Sequence, residues 1–383
     1  MRYVRLGEMP QKHHVQFRQP DGTLYREELF GTRGFSGRSS TLYHKYLPTQ
    51  VAAIDRLEDR PPVPADDDRL QHRHLKTRDL PPSGNAISGR IAMMYNSDVI
   101  IAYANTAEPM PYFFKNADGD EALYIHKGSG TLESIFGTLR YGPGDYLVIP
   151  RGTIYRLSED EPGTRILVVE SASPIEVPKR YRNEYGQLLE DAPYRERDIR
   201  VPESLDMIEE SGRHEVRILA RGKMHAYYYD FHPFDLIGWD GYVYPYAFNI
   251  NHFQPITGQI HLPPPIHQTF EAKGYVICSF VPRMLDYHPD AVPAPYNHSN
   301  IDSDEMIYYA NDRFASRRGI EEGSVTLHPA GIPHGPQPGA TEASLGKTET
   351  TELAVMVDTF HPLKITKVAL KMEDPGYPFS WQT

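Results

Sequence analysis

The stretch "YNHSNIDSDEMIYY", Tyr296 to Tyr309, places His298, Asn300, Asp302, Asp304 and Glu305 directly ahead of a strand-like apolar run. An imidazole beside several carboxylates has two uses at this density. The Asn and Asp side chains can hydrogen-bond local backbone and shape the turn of a hairpin. Alternatively, the histidine and an acid form half of a metal site. The elements that carry these residues decide between the two.

Those elements read as strands. Runs such as "SDVIIAYA", "DYLVIP", "RILVVES", "YVICSF", "SVTLHP" and "ELAVMVDTF" are β-branched and aromatic, and 34 prolines and 29 glycines punctuate the chain. This is the pattern of an all-β sandwich or barrel. Helical periodicity is scarce, and only "STLYHKYLP" and "ESLDMIEESG" are expected to make a few helical turns. The Arg-, Asp- and Pro-rich segment 55–85 reads as an exposed arm. The charged segment 174–212 reads as a connector between an N-terminal domain, 1–173, and a C-terminal domain, 213–383.

The chain also repeats itself. "FKNADGDEALYI" from Phe114 and "HSNIDSDEMIYY" from His298 align Asn116, Asp118, Asp120 and Glu121 with Asn300, Asp302, Asp304 and Glu305. Downstream, "GDYLVIPRGTIY" from Gly144 and "GSVTLHPAGIPH" from Gly323 share Gly-x5-Pro-x-Gly. Two matched segments in the same order indicate two copies of one β domain. The second of these segments ends on His334 where the first ends on Tyr155.

The Gly-x5-Pro-x-Gly-x2-His pattern, with its upstream His-x6-Glu, resembles the two halves of the cupin signature. The resemblance implies two tandem jelly-roll barrels, with few short helices and a metal inside. On that signature His298, Glu305 and His334 are the expected metal ligands. Asn300 stands where a further cupin histidine is usual. Two imidazoles and one carboxylate form the facial triad associated with non-haem Fe(II), although Mn suits the same three ligands. The N-terminal copy has Phe114, Glu121 and Tyr155 at these positions and is expected to hold no metal. Because the repeat folds with Phe and Tyr there, packing alone does not account for the two histidines. The shared acids Asp302 and Asp304 are expected to serve the turn.

A closer resemblance is to the homogentisate 1,2-dioxygenase family. It rests on "PYNHSN" with Glu305, "HPAGIPHGP", "YREELFGTRGFSGRSSTLYHKYLP", "WDGYVYPYAFNI" and "VMVDTFHPLKITKVAL". The glutamate lies one residue further along than in the family pattern. The resemblance implies Fe(II) as cofactor, a small aromatic substrate of the hydroquinone type, and O2, both of whose atoms enter the ring-cleaved product. It also implies a homo-oligomer. His328 falls on a second family histidine, either near the substrate or simply an inward strand residue. Two positions depart from the family. Asp240 replaces its acid–base histidine and is either a base held at raised pKa or a loop residue. Phe314 replaces a substrate-side tyrosine. An aspartate is a weak base near neutrality unless buried, so His261 and His267, flanking "LPPPI", are the alternative proton carriers; Tyr242, Tyr244 and Tyr246 lie upstream.

Bulk composition narrows the remaining classes. A net charge of -11 without a long basic run argues against nucleic acid or an anionic membrane as partner. No apolar run approaches 18 residues, and the start, "MRYVRLGEMPQKHHVQF", has no signal-like core, so a cytoplasmic protein is expected. The lone Cys278, in "YVICSF", reads as a buried, inert thiol. Three functions stay open at this point: homogentisate cleavage, the same iron chemistry on another phenol such as gentisate, and a bicupin that binds a metal or ligand without catalysis.

Overall fold

The computed structural model describes residues 2–382 except Arg60, Asp68, Ala315 and Arg318. Two of its antiparallel sheets share one strand order. The first runs Tyr246–Asn249, Asp145–Ile149, Asp120–Lys127, Arg165–Ser171, Val99–Asn105 and Ile91–Tyr95. The second runs Arg73–Lys76, Ser324–His328, Asp304–Tyr309, Ala354–Thr359, Tyr275–Phe280 and Gln268–Ala272. The sequence repeat is therefore a repeat of sheets, and the chain is all-β, in two jelly-roll barrels of the cupin type. Among the described residues the single α-helix is Ala340–Ser344.

These strands are apolar almost throughout because both of their faces are covered. Alternate side chains of a strand point to opposite faces. From the 304–309 strand, Ile307 and Tyr309 join a cluster with Cys278, Ala354 and Met356 inside the second barrel. Met306 and Tyr308 point the other way, into a cluster shared with Tyr103, Tyr124 and Tyr146 of the first sheet. In the 120–127 strand, Leu123 and Ile125 fill the first barrel while Ala122 and Tyr124 join the shared cluster. The two barrels thus pack sheet against sheet through an aromatic layer, in which the Tyr146 ring meets Phe270 edge-on at 5.6 Å and its hydroxyl lies 2.8 Å from Ser279 Oγ.

The boundary expected at 212/213 does not coincide with a break between sheets. Ser211–Ala220 and Lys223–Phe231 extend the outer wall of the first barrel, Ser211–Ala220 pairing in parallel with Phe113–Asn116. Tyr246–Asn249 joins the first sheet between Asp145–Ile149 and the short edge strand Ile199–Arg200, and Lys364–Ile365 pairs with Ile91–Tyr95 at the opposite edge. Conversely, Arg73–Lys76 completes the second sheet, so the expected exposed arm is partly built into the neighbouring barrel. Its polar composition misleads because an edge strand keeps polar side chains that serve local partners: His74 Nε2 lies 2.8 Å from Ser324 Oγ. Arg60 and Asp68 of that arm lie outside the described residues. The two expected helices are absent: Ser39–His44 is a strand held on both sides, and residues 203–210 are irregular. Flanking strands outweighed local propensity in the first case.

Candidate metal centre

The second barrel brings His298, Glu305 and His334 together. Glu305 is the second residue of the 304–309 strand, its side chain inward, paired across to His328. His298 and His334 face each other through an isolated bridge, His298 N–H donating to His334 O at 2.9 Å and His334 N–H to His298 O at 2.8 Å. The first barrel has the same pairing between Phe114 and Tyr155. The turns ahead of the ligands are also duplicated. Gly144 and Gly152 lie at φ 86° and 87°, and Gly323 and Gly331 at 83° and 84°, a left-handed conformation that favours glycine. Asp304 accepts from Ala330 N and Leu363 N, as Asp120 does from Arg151 N and Ile175 N. Asn116 Oδ1 caps its own turn through Asp118 N and Gly119 N. Asp304 and Asn116 therefore hold loops.

One donor atom from each of His298, Glu305 and His334 lies within 4.8 Å of the others. His298 Nε2 is 3.8 Å from Glu305 Oε2, and His334 Nε2 is 3.3 Å from Glu305 Oε1. Ligand atoms bound at about 2.1 Å and at right angles around one ion stand about 3 Å apart. His334 is 3% exposed, yet neither of its ring nitrogens has a hydrogen-bond partner. A buried polar nitrogen without a partner is costly, and a cation at Nε2 removes that cost. These residues fit a metal ion. Burial pushes the Glu305 carboxyl up, but the surrounding imidazoles of His298, His328 and His334 outweigh it and hold the group well below the ordinary range. The anion is thus ready for a cation.

The other sequence candidates divide. His328 belongs to the site: Nδ1 lies 2.6 Å from Glu305 Oε1, Nε2 lies 3.0 Å from Tyr377 Oη, and the ring stacks on His334 at 4.5 Å. Burial, with Arg317 nearby, pushes its pKa down to about 3, so the ring is neutral and orients the carboxylate. Phe314 packs edge-on against Tyr309, 4.5 Å away, beside the barrel's apolar interior. His261 lies against Tyr296 with the rings tilted and 4.6 Å apart, and Tyr296 in turn meets His298 edge-on at 6.1 Å. His267 is buried against Phe280 at 4.8 Å, its pKa pushed down to about 3 by burial and then Arg283. Asp240 sits in a different sheet, on a strand held between Val4–Gly7 and Ser39–His44. Its Oδ2 accepts from Tyr3 Oη at 2.8 Å and lies 3.6 Å from His13 Nε2. Those contacts tie Asp240 to the N-terminal segment, and they include none of the candidate ligands. Tyr242 and Tyr244 also face that segment, through Tyr3 and the Arg2 carbonyl.

Sequence reasoning missed His72, whose ring lies 5.3 Å from His328, 5.9 Å from His334 and 5.2 Å from Trp381. It lay hidden in a stretch taken for an arm. Asp358, discussed below, was also missed.

The first barrel answers the same geometry with its own cation. Arg90 Nη1 donates to Glu121 and, at 2.8 Å, to Glu170; Nη2 is 3.2 Å from Tyr155 Oη, which itself donates to Glu121 at 2.7 Å. A buried guanidinium thus lies among the residues equivalent to the candidate ligands. A cavity of about 930 Å³, lined by Arg90, Phe114 and Glu170 among others, opens here.

A family model described as "Homogentisate 1,2-dioxygenase N-terminal" matches residues 86–250. A protein of Saccharolobus solfataricus, described as a "Putative dioxygenase", is 44% identical over 100% of this chain and 99% of its own length. The chain belongs to the homogentisate 1,2-dioxygenase family. Within that family, the Rhodopseudomonas palustris (strain BisA53) homogentisate 1,2-dioxygenase is 28% identical over 73% of this chain and 64% of the enzyme. The Mus musculus homogentisate 1,2-dioxygenase is 27% identical over 70% of this chain and 63% of the enzyme. The chain thus spans less than two thirds of the length of either enzyme. Among solved structures, a Cupin 2 conserved barrel domain protein from Leptotrichia buccalis gives a TM-score of 0.36 at 11% identity, covering 79% of this chain and 100% of that one. Likeness of that degree bears on no residue of the site.

Proposed function

We propose that this protein is an Fe(II)-dependent dioxygenase that cleaves the ring of homogentisate or a closely related hydroquinone-type acid, inserting both atoms of O2. The observation that carries the reading is the His298–Glu305–His334 cluster, with its buried, unpartnered His334 ring, inside a barrel of this family. His298, Glu305 and His334 would hold the metal. When bound, ferrous iron supplies a site where an aromatic hydroxyl and O2 meet, with open positions beyond the triad. His328 and Tyr377 fix the orientation of Glu305. Phe280, Phe314 and Tyr309 supply an apolar, aromatic wall that excludes water from the reacting ring. With Asp240 tied to Tyr3, the proton carrier is sought among the histidines near the candidate ligands, His261 first.

The test is O2 uptake by protein loaded anaerobically with Fe(II) and mixed with homogentisate, gentisate and other hydroquinones. Uptake with homogentisate is the expected result, with His334→Ala losing both iron and turnover. Full iron and full turnover in His334→Ala would sink the assignment. A second reading keeps the iron and changes the phenol; it is favoured by Phe314 in the wall and by the engagement of Asp240 elsewhere. Uptake with another member of the panel alone selects it.

A further inference from the structure

Glu305 has a second inward neighbour that the sequence analysis passed over. In the register of the second sheet, Glu305 pairs with His328 on one side and with Asp358 on the other. Directly paired residues of antiparallel strands carry their side chains on the same face. Asp358 therefore stands beside Glu305, and its Oδ1 is buried with no hydrogen-bond partner. A buried carboxylate oxygen left unsatisfied costs free energy unless a donor arrives in the working protein.

The first barrel indicates what kind of donor that is. Its register pairs Glu121 with Glu170, the counterparts of Glu305 and Asp358. There the two carboxylates share one donor, Nη1 of Arg90. Among the described residues, no arginine in the second barrel stands at the place equivalent to Arg90. Asp358 pairs with Val276 as Glu170 pairs with Ile100, and Gln268 pairs with Cys278 as Ala92 pairs with Ala102. Two residues before Ala92 stands Arg90; two residues before Gln268 stands Ile266. Asp358 Oδ1 has no protein donor, which leaves that place to a bound ligand. Asp358 is not among the residues whose donor atoms lie within 4.8 Å of one another. Ile307, Tyr309, Cys278, Met356, Phe280 and Phe314 form the apolar and aromatic cluster inside this barrel, surroundings that suit an aromatic ring.

We infer that Asp358 is a positioning residue of this site, whose Oδ1 accepts a hydrogen bond from a hydroxyl of the aromatic ring bound beside Glu305. The inference rests on the function proposed above, and its test separates the two. Asp358→Asn and Asp358→Glu are made in the full chain and loaded anaerobically with Fe(II). Iron per chain is measured first, then anaerobic calorimetric binding of homogentisate and of phenylacetate, which lacks the ring hydroxyls.

Unchanged iron in Asp358→Asn is expected, with homogentisate binding weakened about tenfold or more. Phenylacetate binding should stay the same, and Asp358→Glu should recover part of the loss. Loss of iron in both variants, equal weakening for both ligands, or unchanged homogentisate binding would each overturn the inference. A wild-type protein that binds homogentisate but takes up no O2 refutes the enzymatic reading alone, while the binding comparison still decides Asp358. A wild-type protein that binds no hydroxylated ring overturns both.

Discussion

Arg90→Met is the sharpest test of the idea that a guanidinium substitutes for a metal in the first barrel. Methionine keeps much of the arginine's apolar length and removes the charge. In the wild type the Arg90 side chain is 8% exposed, with Glu121 at 1% and Glu170 at 16%. The substitution leaves two adjacent carboxylates in an apolar interior with only the Tyr155 hydroxyl on Glu121. Exposed ion pairs contribute about 0–1 kcal/mol, but removing one partner of a buried pair costs about 3–5 kcal/mol. The partial exposure of Glu170 points to the lower end. At about 2 °C or more per kcal/mol for a large domain, the melting temperature should fall by about 6–10 °C. Thermal and urea unfolding at neutral pH read this directly. The deficit should narrow as pH falls, because protonating the stranded carboxylates removes the uncompensated charge. Adding Glu121→Gln and Glu170→Gln to Arg90→Met should restore much of the loss, and iron per chain should not change. A neutral Arg90→Met, or a triple variant as unstable as the single one, would refute the reasoning.

Two other perturbations probe separate parts of the molecule. His328→Leu removes the imidazole that orients Glu305, and metal affinity measured by competitive chelation should fall about 10- to 100-fold while the fold persists; unchanged affinity would remove His328 from the site. His44 is lodged between Asp235 and Glu28; burial works against its charge, but those two hydrogen bonds raise its pKa from 6.5 to about 9. A folded pKa above the unfolded one means stabilisation, here roughly 3 kcal/mol, that is complete below about pH 6.5 and lost as pH rises through about 9. The stability gap between the wild type and His44→Gln, followed by urea midpoints, should close over that window; a gap that widens with pH would contradict the charge assignment.

The grouping of His298, Glu305 and His334 was legible because its spacing repeats in a copy that lacks the histidines, and the fold class because short apolar runs alternate with turn residues. What the sequence hid was long-range. His72 and His74 sit in a polar stretch whose role appears only once Arg73–Lys76 is paired with Ser324–His328. Asp358 and Glu170 lay in two runs recognised as strands, and pairing each acid with its repeat partner would have exposed them. Asp240 was assigned by position in a motif, but its surroundings are set by strands more than 190 residues earlier in the chain, around Arg5 and Thr41. A local motif carries no information about which distant strand will pair beside it.

The exchange of edge strands bears on how the protein is made. As the chain leaves the ribosome, residues 73–76 emerge long before the sheet they complete, and must wait for Ser324–His328. The first sheet in turn lacks its far edges until Tyr246–Asn249 and then Lys364–Ile365 are synthesised. Such non-local pairing slows folding and leaves strand edges open to wrong partners. The nascent first barrel is thus exposed to aggregation for most of translation, and the candidate metal site assembles among the last events of biogenesis.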